Sequence, residues 1–187
     1  MTAPPIEACT TTTADHAGVR YVTFGGCNYL GLAQHPAVLA AAAEATARYG
    51  LSTSASRETT GNTRVHADLE EAVRAFCARP AALLTPDGYI ANLAAMQGAA
   101  AVGVRHAVVD ERAHASLKDA AAVAGMARSF FRHRDAADAA RALSRCDGPA
   151  VVATDSVFAA DGALAPAGAL LAALRPGDRL LLDDCHG

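Results

Sequence analysis

The spacing of apolar residues changes part-way along the chain. From residue 81 onward, short apolar runs alternate with longer alanine-rich stretches. The runs 81–85, 106–109, 129–131, 150–154 and 179–183 have the length of strands. The stretches 88–101, 114–124, 136–144 and 167–174 have the length of helices. Several of the runs are continuously apolar, as suits strands buried on both faces of a sheet. Strands separated by helices of this length predict βαβ units. The expected fold class is therefore α/β, a mainly parallel sheet with helices on both faces.

Before residue 81 the signals are mixed. Pro36 suits a first helical turn, and Gly50 suits the stop of a helix that begins there. A second helix is predicted over 65–78, where Leu69, Val73 and Phe76 share one face. Residues 20–24 are a short strand candidate, 25–32 a Gly/Asn-rich loop and 51–63 a Ser/Thr-rich loop. Residues 1–18, with Pro4-Pro5 and many threonines, are expected to be a poorly ordered arm. The expected organisation is that arm, an N-terminal segment over 19–64, and a larger domain over 65–187.

Composition narrows the function classes. The chain has 187 residues, a net charge of −3 and 52% hydrophobic residues. It carries no basic footprint for nucleic acid and no apolar run long enough to span a bilayer. The N-terminus lacks the basic and apolar regions of a secretory signal. Five scattered cysteines without a Cys-x-x-Cys pair read as reduced thiols, giving a cytoplasmic expectation and no metal site. Lys118 is the single lysine among 16 basic residues.

Four polar clusters fall at the ends of predicted strands. Thr85-Pro86-Asp87-Gly88-Tyr89 turns from a strand into a helix. It reads either as a plain turn capped by Asp87 or as an anion site at the helix start. Asp110-Glu111-Arg112-Ala113-His114 places a histidine at the mouth of the sheet, with Lys118 one turn later. Asp155-Ser156 begins a turn that reaches Asp161-Gly162, and Asp183-Asp184-Cys185-His186 follows the leucine-rich run 180–182. Taken singly, each cluster is compatible with a capped helix or a surface turn. Their convergence on the carboxyl edge of one sheet points to a small-molecule site.

Six stretches, in order and spacing, resemble the α-oxoamine synthases, pyridoxal-phosphate enzymes of the aspartate-aminotransferase fold. They are Asn28-Tyr29-Leu30-Gly31-Leu32; Gly61-Asn62-Thr63 with His66 and Leu69-Glu70-Glu71; Asp87-Gly88-Tyr89 with Asn92; Asp110-Glu111 with His114-Ala115-Ser116-Leu117; Val157-Phe158 with Asp161-Gly162; and Asp183-Asp184-Cys185-His186-Gly187. The resemblance covers about residues 20–187. It implies pyridoxal 5'-phosphate as cofactor, with the backbone of Gly88 and Tyr89 on the phosphate and His114 stacked on the ring. Asp183 would pair with the pyridine nitrogen and His186 with the phenolic oxygen. Asp184, next along the strand, faces the opposite way and is not expected to take the Asp183 role.

It further implies decarboxylative condensation of an amino acid with an acyl thioester, on a coenzyme A or carrier-protein donor, by a cytoplasmic homodimer. Four departures stand out. Asp87 occupies a position that is usually small and neutral, and its charge would repel a phosphate unless it turns away to cap the helix. Ala159-Ala160 replaces a Ser-Met pair, and the loop 52–60 lacks the glycines common there. No residue matches the family's Schiff-base lysine, and Lys118 is poorly directed to replace it. No catalytic residue is assigned, and the chain is expected to be the N-terminal half of such an enzyme. A lysine-less, partner-binding subunit and a transaminase on the same fold are the alternative readings.

Overall fold

In the computed structural model, which describes residues 5–187, four apolar runs pair into one parallel sheet. The strands are β4 (His106–Asp110), β5 (Ala127–Phe131), β6 (Ala150–Asp155) and β7 (Arg179–Asp183). Their order is β5-β4-β6-β7. His106 sits opposite Ala127 and Ala150, and Asp155 sits opposite Asp183. This register brings Asp110, Asp155 and Asp183 to the same edge, at the carboxyl ends of three strands.

Side chains of a strand alternate between faces, and the core divides accordingly. Ala107, Val109, Val151 and Ala153 pack on one side with Met96 and Leu117. Those two residues come from α3 (Gly88–Ala101) and α4 (Ala115–Val123). Val108, Ala150 and Val152 pack on the other side with Leu143 and Leu170. These belong to α5 (Ala136–Leu143) and α6 (Ala167–Ala173). Helices thus cover both faces, as the α/β pattern predicts. Ala120 and Ala121 of α4 are fully buried, and short side chains there leave room for close helix packing.

The chain divides into two units, one ending at Leu83 and one spanning Leu84–Gly187. The helix α2 (Arg64–Phe76) belongs to the first unit, not to the unit with the parallel sheet. The first unit also holds α1 (Pro36–Tyr49) and an antiparallel sheet of β1 (Ala8–Cys9), β2 (Thr13–His16) and β3 (Val19–Val22). Residues 1–4 of the expected arm lie outside the described residues.

Over 5–18 the arm is replaced by hairpins. Ala17 and Gly18, both at positive φ (50° and 73°), form the two-residue connection between β2 and β3. Two left-handed residues match the twist of a hairpin, and this is the signal that a Thr-rich stretch concealed. Thr10 Oγ1 accepts the Thr13 N–H at 3.1 Å in the preceding turn.

The run 81–85 is not a strand. A strand exists only through its ladder, and among the described residues no strand pairs with this run. Other strands are displaced by a residue or two from their predicted bounds, β3 ending at Val22 and β5 beginning at Ala127.

Candidate functional site

Each carboxylate at the sheet edge has a different job. Asp110 is 1% exposed and is consumed by its own neighbourhood. It accepts N–H groups of Arg112 at 2.8 Å and Arg134 at 2.9 Å, and lies 3.1 Å from His133 Nδ1. Those contacts tie the turns after β4 and β5 together. His133 also meets the Phe158 ring edge-on, with centroids 4.4 Å apart.

Asp155 accepts the His114 N–H at 3.1 Å and so aims the start of α4 at the cavity. Burial pushes its carboxyl above the usual range. The His114 N–H opposes that shift, while the nearby charge of Asp183 adds to it. Asp183 accepts the Asn92 amide at 2.8 Å and the Cys185 N–H at 3.2 Å.

The two helix starts complete the rim. Asp87 caps α3 by accepting the Ile90 N–H at 2.8 Å. Its carboxylate is therefore engaged with the helix backbone, the arrangement the charge argument requires. Gly88 and Tyr89 are the first two residues of α3, where no intrahelical acceptor exists for their N–H groups. A Cβ at Gly88 would meet nothing within 4 Å, so the backbone there is openly approachable. The Tyr89 hydroxyl donates to Asp119 at 3.0 Å, and this hydrogen bond is the main cause of its raised pKa. His114 caps α4, its Nδ1 accepting the Ser116 N–H at 3.3 Å.

These groups enclose a cavity of about 250 Å³, lined by Gly88, Tyr89, His114, Ser116, Asp155, Ala159, Asp183, Cys185 and His186. All five residues nominated from the sequence are in that lining. Asp184 is not; it accepts the Ser156 hydroxyl instead. Lys118 is not either; its Nζ donates to the Glu111 carbonyl at 2.8 Å. Ala159 lines the cavity with no hydroxyl to offer.

Sequence reasoning gave no role to Asn92, Ser116 or Asp155. Asn92 is 5% exposed and lies one turn before Met96 on α3, so a buried amide in an apolar helix was its signal. Asp155 gave no signal beyond its place at a strand end.

The cavity has what an anionic, ring-bearing cofactor needs: free helix-start amides at one side, an imidazole and a strand-end carboxylate at the other. The aminotransferase class I and II family model matches residues 20–187. The chain belongs to that family. It is 43% identical over 172 residues to an 8-amino-7-oxononanoate synthase from Stutzerimonas stutzeri, covering 91% of this chain and 43% of that protein. It is 42% identical to a protein of the same name from Chromohalobacter salexigens, covering 89% of this chain and 44% of that one. Among solved structures it resembles a serine palmitoyltransferase variant from S. paucimobilis with bound PLP–myriocin aldimine. The TM-score is 0.89 at 27% identity, over 96% of this chain and 46% of that one. An 8-amino-7-oxononanoate synthase from Francisella tularensis shares the fold at a TM-score of 0.68 and 19% identity, over 85% of this chain and 43% of that one. The chain therefore spans less than half the length of these relatives.

Proposed function

We propose that this chain supplies the cofactor-binding part of a pyridoxal-phosphate-dependent acyltransferase of the α-oxoamine synthase type. The reaction joins an amino acid to an acyl thioester with loss of carbon dioxide. One observation carries the reading. The Asp183 carboxylate, the His114 imidazole and the open amides of Gly88 and Tyr89 line a single cavity at the carboxyl edge of the sheet.

The chemistry supplied by bound pyridoxal phosphate is that of an electron sink for a carbanion next to nitrogen. Asp183, its orientation set by Asn92, would pair with the pyridine nitrogen and keep it protonated. His114, positioned by Asp155 through its backbone N–H, would lie against the ring face. Gly88 and Tyr89 would hold the phosphate with helix-start amides, while Asp87 stays on Ile90. His186, also in the lining, would meet the phenolic oxygen. Lys118, held on the Glu111 carbonyl, has no part in the chemistry.

The same reading includes a homodimer and a cytoplasmic setting. Phe24, Leu51 and Phe76 are 95%, 94% and 91% exposed in a single copy, which supports an assembly that covers them. No disulfide joins any of the five cysteines, and the reduced form is the one that persists in a reducing compartment. No helix among the described residues is long and apolar enough to cross a membrane.

Titration of the purified chain with pyridoxal phosphate, followed by its absorbance and by fluorescence, tests the reading. Saturable binding that weakens about tenfold or more in Asp183→Ala is expected, the loss of one charge-assisted hydrogen bond. Binding unaffected by Asp183→Ala overturns the assigned site. A covalent label after borohydride that disappears in Lys118→Ala overturns the exclusion of Lys118.

A further inference from the structure

The polar groups beneath the cavity form one continuous hydrogen-bonded line, and every direction in it is determined. Its fixed point is the Ser116 backbone N–H, which can only donate. It points at His114 Nδ1 from 3.3 Å, so Nδ1 carries a lone pair and the imidazole proton sits on Nε2. The Ser116 hydroxyl, 2.7 Å from the same Nδ1, must then donate to it as well. Having spent its hydrogen, Ser116 Oγ is free to accept from the Asn92 amide at 2.9 Å. The second amide hydrogen of Asn92 goes to Asp183 Oδ2 at 2.8 Å. Ser116 is 1% and Asn92 5% exposed, so water does not compete for these groups.

We propose that Asn92 is a positioning residue that couples Asp183 to His114. Its two amide hydrogens orient the carboxylate at one end. At the other end, through Ser116, they keep the Nδ1 lone pair of His114 facing Ser116 and the ring proton on Nε2. Protonation of Nδ1 would put two hydrogens, from Ser116 N and from Nδ1 itself, into one contact. It would also take the Nδ1 acceptor away from the hydroxyl hydrogen of the buried Ser116. A fixed Nδ1 lone pair sets how the His114 ring would be presented to a cofactor ring in the cavity. In this respect the inference deepens the cofactor reading. Its test needs no cofactor, so failure of one can be told from failure of the other.

The His114 tautomer can be read directly from long-range proton–nitrogen spectra of the full chain labelled with nitrogen-15 histidine, without pyridoxal phosphate. His114→Gln assigns the resonance. The wild-type chain is expected to show the Nε2–H form in about tenfold excess or more, the weight of one net hydrogen bond. Asn92→Asp keeps the shape of the side chain and removes its donors. The new carboxylate would take the Ser116 hydroxyl hydrogen, turning the Ser116 lone pairs toward His114 and shifting the population about tenfold toward the Nδ1–H form. A residue that only fills space would leave the tautomer unchanged.

Asn92→Asp also sets two carboxylates face to face. The exchange pair Asn92→Asp with Asp183→Asn removes that repulsion and should give the same tautomer shift in a folded chain. Ser116→Ala breaks the line in the middle and should move the Nδ1 resonance toward that of a nitrogen with one fewer hydrogen bond. A wild-type chain dominated by the Nδ1–H form overturns the proposal. So does a folded exchange pair with the wild-type tautomer ratio.

Discussion

Both units of this chain contain amphipathic helices, yet they reach different degrees of burial. In the unit spanning Leu84–Gly187, Val108, Val109, Leu117 and Val152 are fully buried, and Phe131 and Leu143 are 1% exposed. In the unit ending at Leu83, neither α1 nor α2 buries a single residue. Yet α2 has a clear apolar face, with Leu69 and Val73 one turn apart on it. The difference teaches that amphipathicity specifies which face wants cover, while the partner surface decides whether it gets any. The first unit is instead organised by local polar contacts. Arg20 is bound to Asp15 through two nitrogens, at 2.7 and 2.8 Å, across β2 and β3. The His66 imidazole accepts the Thr63 N–H at 3.1 Å at the start of α2. Gln34 donates to the Cys9 carbonyl at 2.8 Å.

The contrast can be broken most directly with large-to-small substitutions. Phe131→Ala, in the buried unit, should cost about 3–5 kcal/mol in urea unfolding, because the cavity it leaves cannot collapse. A cost below about 1 kcal/mol would mean the sheet unit is loosely packed, and the comparison would fail.

Asp178 sharpens it with charge. Its side chain is 1% exposed, and it accepts the Ala150 N–H at 2.8 Å and Arg175 Nε at 2.9 Å. Burial alone would raise its pKa, but the hydrogen bonds from Arg175 and from the Ala150 backbone outweigh burial and hold it below the usual range. A lowered carboxylate stabilises the fold above its unfolded pKa of about 3.9, and that stabilisation is lost as pH falls through the lower folded value. Asp178→Ala should therefore cost about 2–3 kcal/mol at pH 7, where the Ala150 N–H and Arg175 lose their acceptor. Its cost should shrink toward zero below that range. Melts of both proteins from pH 7 to pH 2 measure this, and a cost that is independent of pH would contradict it.

Smaller effects belong to the other unit. Gly18→Val forces a β-branched residue to φ +73° in the hairpin and should cost about 1–2 kcal/mol. The loss should appear as faster amide exchange in β2 and β3 rather than in the parallel sheet. Phe76→Ala, at a 91% exposed site, should change stability by no more than about 0.5 kcal/mol in dilute chain. A cost of the Phe131→Ala size there would show that this face is covered in solution, and the contrast between the units would have to be redrawn.

Where the sequence failed, it failed for identifiable reasons. Continuous apolar runs made β4, β6 and β7 legible; β4 and β6 are buried on both faces, as that pattern implies, whereas β7, last in the strand order, buries no residue and leaves Leu182 37% exposed. The same pattern over 81–85 looked identical and gave no strand, since a ladder needs a neighbour and composition does not supply one. The β2–β3 hairpin was missed because its turn is Ala17-Gly18 rather than the Asn-Gly or Asp-Gly pair that announces such turns. At the site, Gly88, His114 and Asp183 were visible through motif order. Asp155 was not, because a carboxylate at a strand end is chemically mute until its register with Asp183 is known.

By itself, then, the sequence determined the α/β class, the helices that cover the sheet and the side chains that gather at its carboxyl edge. Those properties follow from periodicity and from residue types acting over a few positions. The strand order β5-β4-β6-β7 was decided only in three dimensions. So were the pairing of Asp155 with Asp183, the turning of Asp87 onto Ile90 and the line from Asp183 through Asn92 and Ser116 to His114. Each of these depends on groups far apart in the chain meeting at hydrogen-bond distance. Asn92 and Asp183 are 91 positions apart and 2.8 Å from contact to contact, a proximity that folding creates and no local pattern encodes.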